Sequence, residues 1–378
     1  MTNKFDCVVV GASCAGLRAA ELLARAGRSV VVYERRRRLD GITRTWIVTD
    51  HLEPVLGFNA AEAIVHRTGL MRMYAGNAQR DVRLGAPDLI VERARMLPLL
   101  ARRAVDAGAQ IIFEADVRAL RDRGDGIELE VSDRSGGSSY SVVTGNVIAA
   151  DGVNSGVAKM MGAKPQKVVP IVQAKVELPH GYDSDITEIW FERDLTRFFY
   201  WLIPESTTQG ALGIIAENNS NARRLLDDFL ARKGYKALEY QGAMIPLHQP
   251  FRKLEWNLKG GRVLLVGDAA AHVKVTTVGG LVSGLWGANA AAKCLVEGSR
   301  YGRELRGLHA ELHIHDLMRW VLDRFSAGDY EHMLGFLGHG VEVILGRHNR
   351  DTVASAKWSL LAAEPRIVTL AARAVLFS

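Results

Sequence analysis

The sequence predicts an α/β fold: a discontinuous domain built on a parallel sheet, an inserted and mostly antiparallel α+β unit, and a helical C-terminal region. Three observations predict it. The first 34 residues read as strand, glycine-rich turn, helix and strand. Residues 165–255 change to alternating strands with one helix, and an apolar strand feeding a second glycine-rich turn returns at residues 262–266. At 378 residues, with 48% apolar and 24% charged side chains, the chain carries enough hydrophobic material for two joined domains of ordinary globular composition.

Residues 7–10 form a β-branched apolar run of the kind that is buried on both faces of a parallel sheet. Residues 17–26 carry apolar side chains at helical spacing and stop at Gly27, and residues 29–33 form a second strand ending at Glu34. A further amphipathic helix is expected at 94–105, closed by Gly108, followed by a strand at 110–113. Residues 127–131 and 138–143 alternate around Asp133-Arg134-Ser135-Gly136-Gly137 and predict a hairpin. Strands are expected at 187–192, 198–203 and 211–217, and a helix at 221–233. The division that follows is a nucleotide-binding domain at 1–160 and 258–300 with an excursion at about 50–90, a substrate domain at 161–257, and helices over 301–378.

The formal charge of +6 is scattered, and no recognition motif accompanies it, so nucleic acid is not expected as a partner. Cys7, Cys14 and Cys294 have no metal-type spacing and are too few for a disulfide framework, which suits a reducing cytoplasm. His313 and His315 stand two apart in an expected helix and point in different directions, so no metal is assigned.

Gly11-Ala12-Ser13-Cys14-Ala15-Gly16 is a dinucleotide fingerprint with Ser13 at the second glycine position. Gly11 permits the tight turn, a small residue at 13 admits a pyrophosphate, and Gly16 lets helix pack on strand while the helix N-terminus faces the anion. Glu34, 23 residues after Gly11, is placed to accept hydrogen bonds from an adenosine ribose. Such a Rossmann-like unit serves NAD or FAD. The second half of the chain selects FAD: Gly267-Asp268 after the strand at 262–266, and Val278-Gly279-Gly280-Leu281 opening a small-residue helix, resemble the flavoprotein segment whose Asp contacts the ribityl chain. The dipole of that helix stabilises the negative charge of a reduced flavin. Ala150-Asp151-Gly152 resembles the third flavoprotein segment.

Taken together, these motifs resemble the geranylgeranyl reductases and related FAD-dependent isoprenoid reductases of the hydroxybenzoate-hydroxylase-like group. The resemblance implies that Arg93, in Val91-Glu92-Arg93-Ala94-Arg95, reaches the FAD and that Val117 offers backbone to the adenine. It also matches Phe199-Tyr200-Trp201-Leu202-Ile203-Pro204 to a substrate-domain motif, and Lys274-Val275-Thr276-Thr277-Val278-Gly279-Gly280 to a K-P-T-T-G-G-G loop. Val275 stands where the family has proline, Val278 where it has glycine, and residues 40–46 lack the Cys-Gly-rich stretch of many members.

Cofactor contacts are therefore expected at Gly11, Ser13, Cys14, Ala15, Gly16, Glu34, Arg35, Arg93, Val117, Asp151, Asp268, Gly279, Gly280 and Leu281. Arg35 opens the run 35–38, which otherwise reads as a solvated loop. Cys14 sits at a helix N-terminus, which lowers a thiol's pKa, but a pyrophosphate would cover it and no redox role is assigned. Tyr200, Trp201 and Trp46 are candidate pocket walls and His272 a candidate acid, with sheet core and structural histidine as the competing readings. The expected reaction is reduction of a carbon-carbon double bond in a prenyl substrate by reduced FAD. The electron donor is NADPH or a reduced carrier protein, because only one fingerprint is present. A flavin monooxygenase or tailoring oxidase of the same group is the alternative, and a prenyl-binding escort protein a more distant one. The basic surface and the apolar stretch 367–377 suggest peripheral contact with membranes.

Overall fold

The computed structural model describes residues 4–41, 44–217, 219–338, 341, 343–344 and 348–376. Cys7 to Val10 are buried, and their side chains alternate between two hydrophobic clusters, Cys7 and Val9 in one, Val8 and Val10 in the other. A strand apolar on both faces has to lie inside a sheet covered on both sides. This strand, β1 (Lys4–Val10), does so. It leads through helix α1 (Cys14–Arg25) to β2 (Val30–Tyr33).

Next come β3 (Thr45–Val48), α2 (Leu52–Leu56), the long hairpin β4 (Ile64–Ala75) and β5 (Ala78–Glu92), and α3 (Arg93–Asp106). The chain then forms β6 (Gln110–Ile112), β7 (Ala115–Asp122), β8 (Ile127–Asp133), β9 (Ser139–Ala149) and α4 (Gly156–Met160). The antiparallel stretch holds β10 (Val168–Glu177), β11 (Ile186–Phe191), β12 (Tyr200–Pro204), β13 (Gln209–Ile215), α5 (Asn219–Lys233) and β14 (Ala237–Pro246). After β15 (Glu255–Leu258) and β16 (Gly261–Leu265) come α6 (Leu281–Glu297), α7 (Tyr301–Glu304), α8 (Arg306–Leu322), α9 (Ala327–Phe336), α10 (Val353–Ala363) and α11 (Arg366–Leu376). Most expected strand and helix boundaries fall within about two residues of those observed, but β1 and α1 each begin three residues earlier than expected and β9 runs on six residues past the expected end, into the first sheet between β1 and β16.

Two sheets organise the molecule. The first runs β15-β16-β9-β1-β2-β6, with β7 and β8 carried on β9; its central pairings are parallel, so strands from both ends of the chain lie side by side. Helices α1, α3 and α6 cover one face, while β7, β8 and α4 close the other. The second runs β14-β10-β13-β12-β11-β4-β5-β3 and is antiparallel except where β11 meets β4. Helix α5 covers one of its faces through Leu226 and Phe229. Phe325, Tyr330 and Leu334 of the C-terminal region pack on Met73 and Val82 of the hairpin, and Ser326 and Asp329 cap α9 reciprocally. No helix of the described residues is long and apolar enough to cross a membrane. Phe377, the end of the expected membrane-contact stretch, lies outside the described residues.

Candidate functional site

The turn after β1 needs its outer glycines. Gly11 has φ +99°, and a Cβ on it would stand 2.6 Å from the Ala150 carbonyl oxygen; one on Gly16 would stand 2.2 Å from that of Gly11. Ser13 fills the second glycine position usefully, because its Oγ caps α1 by accepting the Gly16 N–H at 3.2 Å. Glu34, 5% exposed, accepts the Ala12 N–H at 2.8 Å and the Arg36 N–H at 2.9 Å, so its carboxylate braces the turn. Ala15 sits beside Gly267, where an added Cβ would come within 3.1 Å of it, so the N-terminal fingerprint and the Gly-Asp turn touch. Burial pushes the Cys14 thiol up to about 12 against the opposing pull of Arg93, which outweighs the helix-terminus effect and keeps it protonated.

Charge gathers at this junction without being paired. Burial raises the Asp268 carboxyl, and Arg44 and Arg93 pull it down. Burial likewise lowers the Arg93 guanidinium, helped by the nearby positive Arg36 and Arg44. The Arg93 N–H also donates to the Arg44 carbonyl at 3.0 Å. Among the described residues neither Arg44 nor Arg93 forms an ion pair, and the Asp268 carboxylate accepts no hydrogen bond. Half-buried cations held together with no counter-charge at contact distance are costly unless an anion completes them. Two guanidiniums for a pyrophosphate and one carboxylate for ribityl hydroxyls fit FAD.

Asp268 also reaches the start of α6. An added Cβ on Gly280, its N-cap, would lie 3.4 Å from Asp268 Oδ1 and 2.9 Å from Val273 Cγ2, so a side chain there would crowd Val273, and Leu281 begins the helix. Gly279 is tied back to Lys274, which donates its N–H to the Gly279 carbonyl at 3.1 Å. Gln166 Nε2 donates to the Asp268 carbonyl at 2.8 Å and fixes the turn from outside. Val117 lies on β7 at a bulge, two residues beyond the hydrogen bond from Ala115 N–H to the Glu34 carbonyl. Asp151 accepts the Val157 N–H at 3.1 Å and tethers α4, while its Oδ1 is buried without a partner among the described residues.

The structure separates the remaining candidates. Arg35 points into solvent, and Arg36 takes the inward place beside Arg93. Alternation along β12 sends Tyr200 and Trp201 to opposite faces. Tyr200 is fully buried and stacked on Phe229 of α5 at 4.1 Å, so it is core and not a pocket wall. Trp201 joins Ile90, Phe198, Val273 and Val278 on the other face, against the 274–280 loop. Trp46 packs on the helical side of the first sheet, and it is Ile47 that joins the Trp201 cluster. His272 is fully buried with both ring nitrogens unpartnered among the described residues; burial first, then His309 and His248, push it down to about 3. A neutral, enclosed imidazole is poorly suited to supply a proton near neutral pH, which favours the structural reading of His272.

Sequence reasoning missed Arg36, Arg44 and a polar chain behind the loop. Thr276 Oγ1 and His315 Nδ1 lie 2.5 Å apart, and His315 Nε2 is 3.0 Å from the Arg350 carbonyl. A carbonyl only accepts, so Nε2 carries the proton and Nδ1 accepts from the Thr276 hydroxyl. Lys274 pairs with Asp351, which also accepts from Thr49 Oγ1 at 2.6 Å, and Arg350 pairs with Asp88 at 2.7 Å. A separate open cleft of about 1070 Å³ with Arg262, Arg300, Arg303 and Arg306 in its wall lies at the far end of α6 and does not reach these groups.

Residues 4–300 match the FAD binding domain family. The chain is 28% identical to digeranylgeranylglycerophospholipid reductase 2 of Methanothermobacter thermautotrophicus, over 79% of this chain and 80% of the relative. A geranylgeranyl bacteriochlorophyll reductase-like protein of Thermoplasma acidophilum superposes with a TM-score of 0.83 at 17% identity, over 98% of this chain and 99% of the other. The p-nitrophenol 4-monooxygenase of Pseudomonas putida superposes with a TM-score of 0.66 at 16% identity, over 100% and 98%. These structural likenesses show the shared fold, and the family match spans both halves of the charged junction described above. The chain belongs to the FAD-binding domain family.

Proposed function

We propose that the protein is an FAD-dependent oxidoreductase that reduces carbon-carbon double bonds of a prenyl substrate. The observation that carries this reading is the wall built by Trp201, Ile90, Phe198 and Val278 beside the 274–280 loop and the α6 N-terminus. An apolar wall of this kind accepts an extended hydrocarbon chain, and relatives at 24–28% identity carry the name digeranylgeranylglycerophospholipid reductase.

When bound and reduced, FAD supplies the hydride. The chain's own groups do the rest. Arg44 and Arg93 would hold the pyrophosphate of the cofactor, Asp268 would orient its ribityl hydroxyls, and Glu34 keeps the fingerprint turn closed. The uncapped N–H groups at the start of α6 present positive potential beside Asp268. Trp201 and Val278 exclude water from the reacting side. Thr276, in the loop beside this wall, donates its hydroxyl proton to His315 Nδ1, and the Arg350 carbonyl accepts from His315 Nε2 and fixes the ring.

Electrons enter from a transient NADPH or a reduced carrier protein. The exposed Trp358, Trp320 and Leu376 of the C-terminal helices suit contact with a bilayer surface where prenyl lipids reside.

The test incubates dithionite-reduced, FAD-loaded protein with geranylgeranyl lipids under nitrogen. A gain of two hydrogens in the lipid mass is expected. No mass gain, together with oxygen insertion into an organic substrate during aerobic NADPH turnover, would replace this reading with a monooxygenase.

A further inference from the structure

On α8, His309, His313 and Asp316 follow the spacing i, i+4, i+7, which aligns them along one helical face. Opposite that face the fold places His248, two residues beyond β14. His248 Nδ1 lies 2.7 Å from Asp316 Oδ2, although the two residues are 68 positions apart. Ligand atoms of His248, His313 and Asp316 all lie within 4.8 Å of one another. The three imidazole rings form a triangle: His248 to His313 at 5.6 Å, His309 to His313 at 6.0 Å and His248 to His309 at 6.4 Å between centroids. His313 and His315, two apart on the helix, point in different directions, and His315 turns inward to Thr276.

We propose that His248, His313 and Asp316 form a binding site for a divalent transition-metal ion of the zinc class, with His309 beside it. Zinc sits about 2.0–2.2 Å from imidazole nitrogen and carboxylate oxygen, so its ligand atoms stand about 3–4 Å apart, and small rotations of three side chains close the present separation. Two imidazoles and one carboxylate are the donor set that zinc accepts and that calcium or magnesium does not favour. The graded exposure is also suitable. The His248 side chain is 4% exposed, Asp316 is partly buried and His313 is exposed, giving an anchored ligand and an entry path. A metal here would pin α8 to the connection between β14 and β15, joining the C-terminal helices to the second sheet.

The experiment titrates Zn²⁺ into untagged, FAD-loaded, chelator-treated protein by calorimetry. One ion per chain is expected, with affinity weakened tenfold or more in His313→Ala and in Asp316→Asn, and unchanged in His180→Ala, an exposed histidine outside the cluster. Zn²⁺ should raise the melting temperature of the parent protein and leave that of both cluster variants unmoved, a readout independent of any lipid chemistry. Absence of one-site binding, binding that either cluster substitution leaves unchanged, or equal weakening in His180→Ala overturns the proposal.

Discussion

Replacing Asp351 by Asn leaves the Lys274 ammonium buried beside Arg350 with its counter-charge removed. The two side chains are 6% and 4% exposed, so water cannot take over the lost role. Removing one partner of a buried pair costs about 3–5 kcal/mol, because the remaining charge stays desolvated. For 378 residues the unfolding entropy is about 0.8 kcal/mol/K, so Asp351→Asn is expected to lower Tm by about 4–6 °C. The double variant Lys274→Met, Asp351→Leu removes both charges and should recover most of that loss.

The same group sets a pH dependence. Burial pushes the Asp351 carboxyl up, but Lys274, Thr49 and Arg350 hold it below the usual carboxylate range. A carboxyl depressed in the folded state contributes its full stability above the unfolded pKa of about 3.9 and loses it as pH falls through the folded value. Scanning calorimetry from neutral pH downward should therefore show a steeper acid loss in the parent than in Asp351→Asn. An Asn variant that melts within 1 °C of the parent, taken as about 0.8 kcal/mol, or a double variant no better than the single, would refute the reasoning.

Three further outcomes are expected. Asp268→Ala and Arg93→Ala should each weaken FAD binding roughly 10- to 150-fold, the equivalent of about 1.5–3 kcal/mol for a charged hydrogen bond, as read by flavin fluorescence titration; undiminished binding in both would show that the junction is not the cofactor site. His272→Leu should keep its flavin and its turnover between about pH 6 and pH 8, since the buried ring is neutral there, and loss of the acid limb of the rate profile would restore it as the proton donor. Val278 has φ +54°, so Val278→Gly should melt higher than Val278→Ala by about 1 kcal/mol, reversing the ordinary glycine penalty, and an Ala variant at least as stable would show that no strain is held there.

What was legible in the sequence was local. The βαβ unit, the fingerprint, the Gly-Asp turn and the family resemblance rest on neighbouring residues, and β1, α1, β2 and β16 stand where spacing placed them. Arg44 carries no local signal. It reaches the junction because β3 pairs with the end of β5, Thr45 opposite Glu92, which brings it beside Arg93. Tyr200 and Trp201 were legible as a motif but not as two faces, since only the position of α5 decides which side of β12 is core. Glu34 was assigned to the ribose from its spacing, and its hydrogen bond from the Ala12 N–H of the turn emerges only when β2 lies beside β1.

Two places where this chain breaks local rules meet on one surface. Val278 holds a β-branched side chain in the left-handed region, where such residues are outliers, and is kept there because its N–H donates to the Lys274 carbonyl at 2.7 Å while its side chain is buried against Trp201. Trp201 leaves its indole N–H without an acceptor among the described residues and lies across Gly213, where any Cβ would collide with the ring. Each of these costs stability that a more regular sequence would keep, and each shapes the wall beside the α6 N-terminus. Strain of this kind persists only where the surroundings over-determine it, and here the Lys274 to Asp351 pair anchors the loop from behind. The motif that residues 274–280 resemble has glycine at this position, and Val278 takes a backbone conformation that glycine adopts freely, so its isopropyl group is added to the cluster around Trp201 at the cost of that strain. Val278→Gly should consequently free volume beside Trp201 while leaving the course of the backbone unchanged.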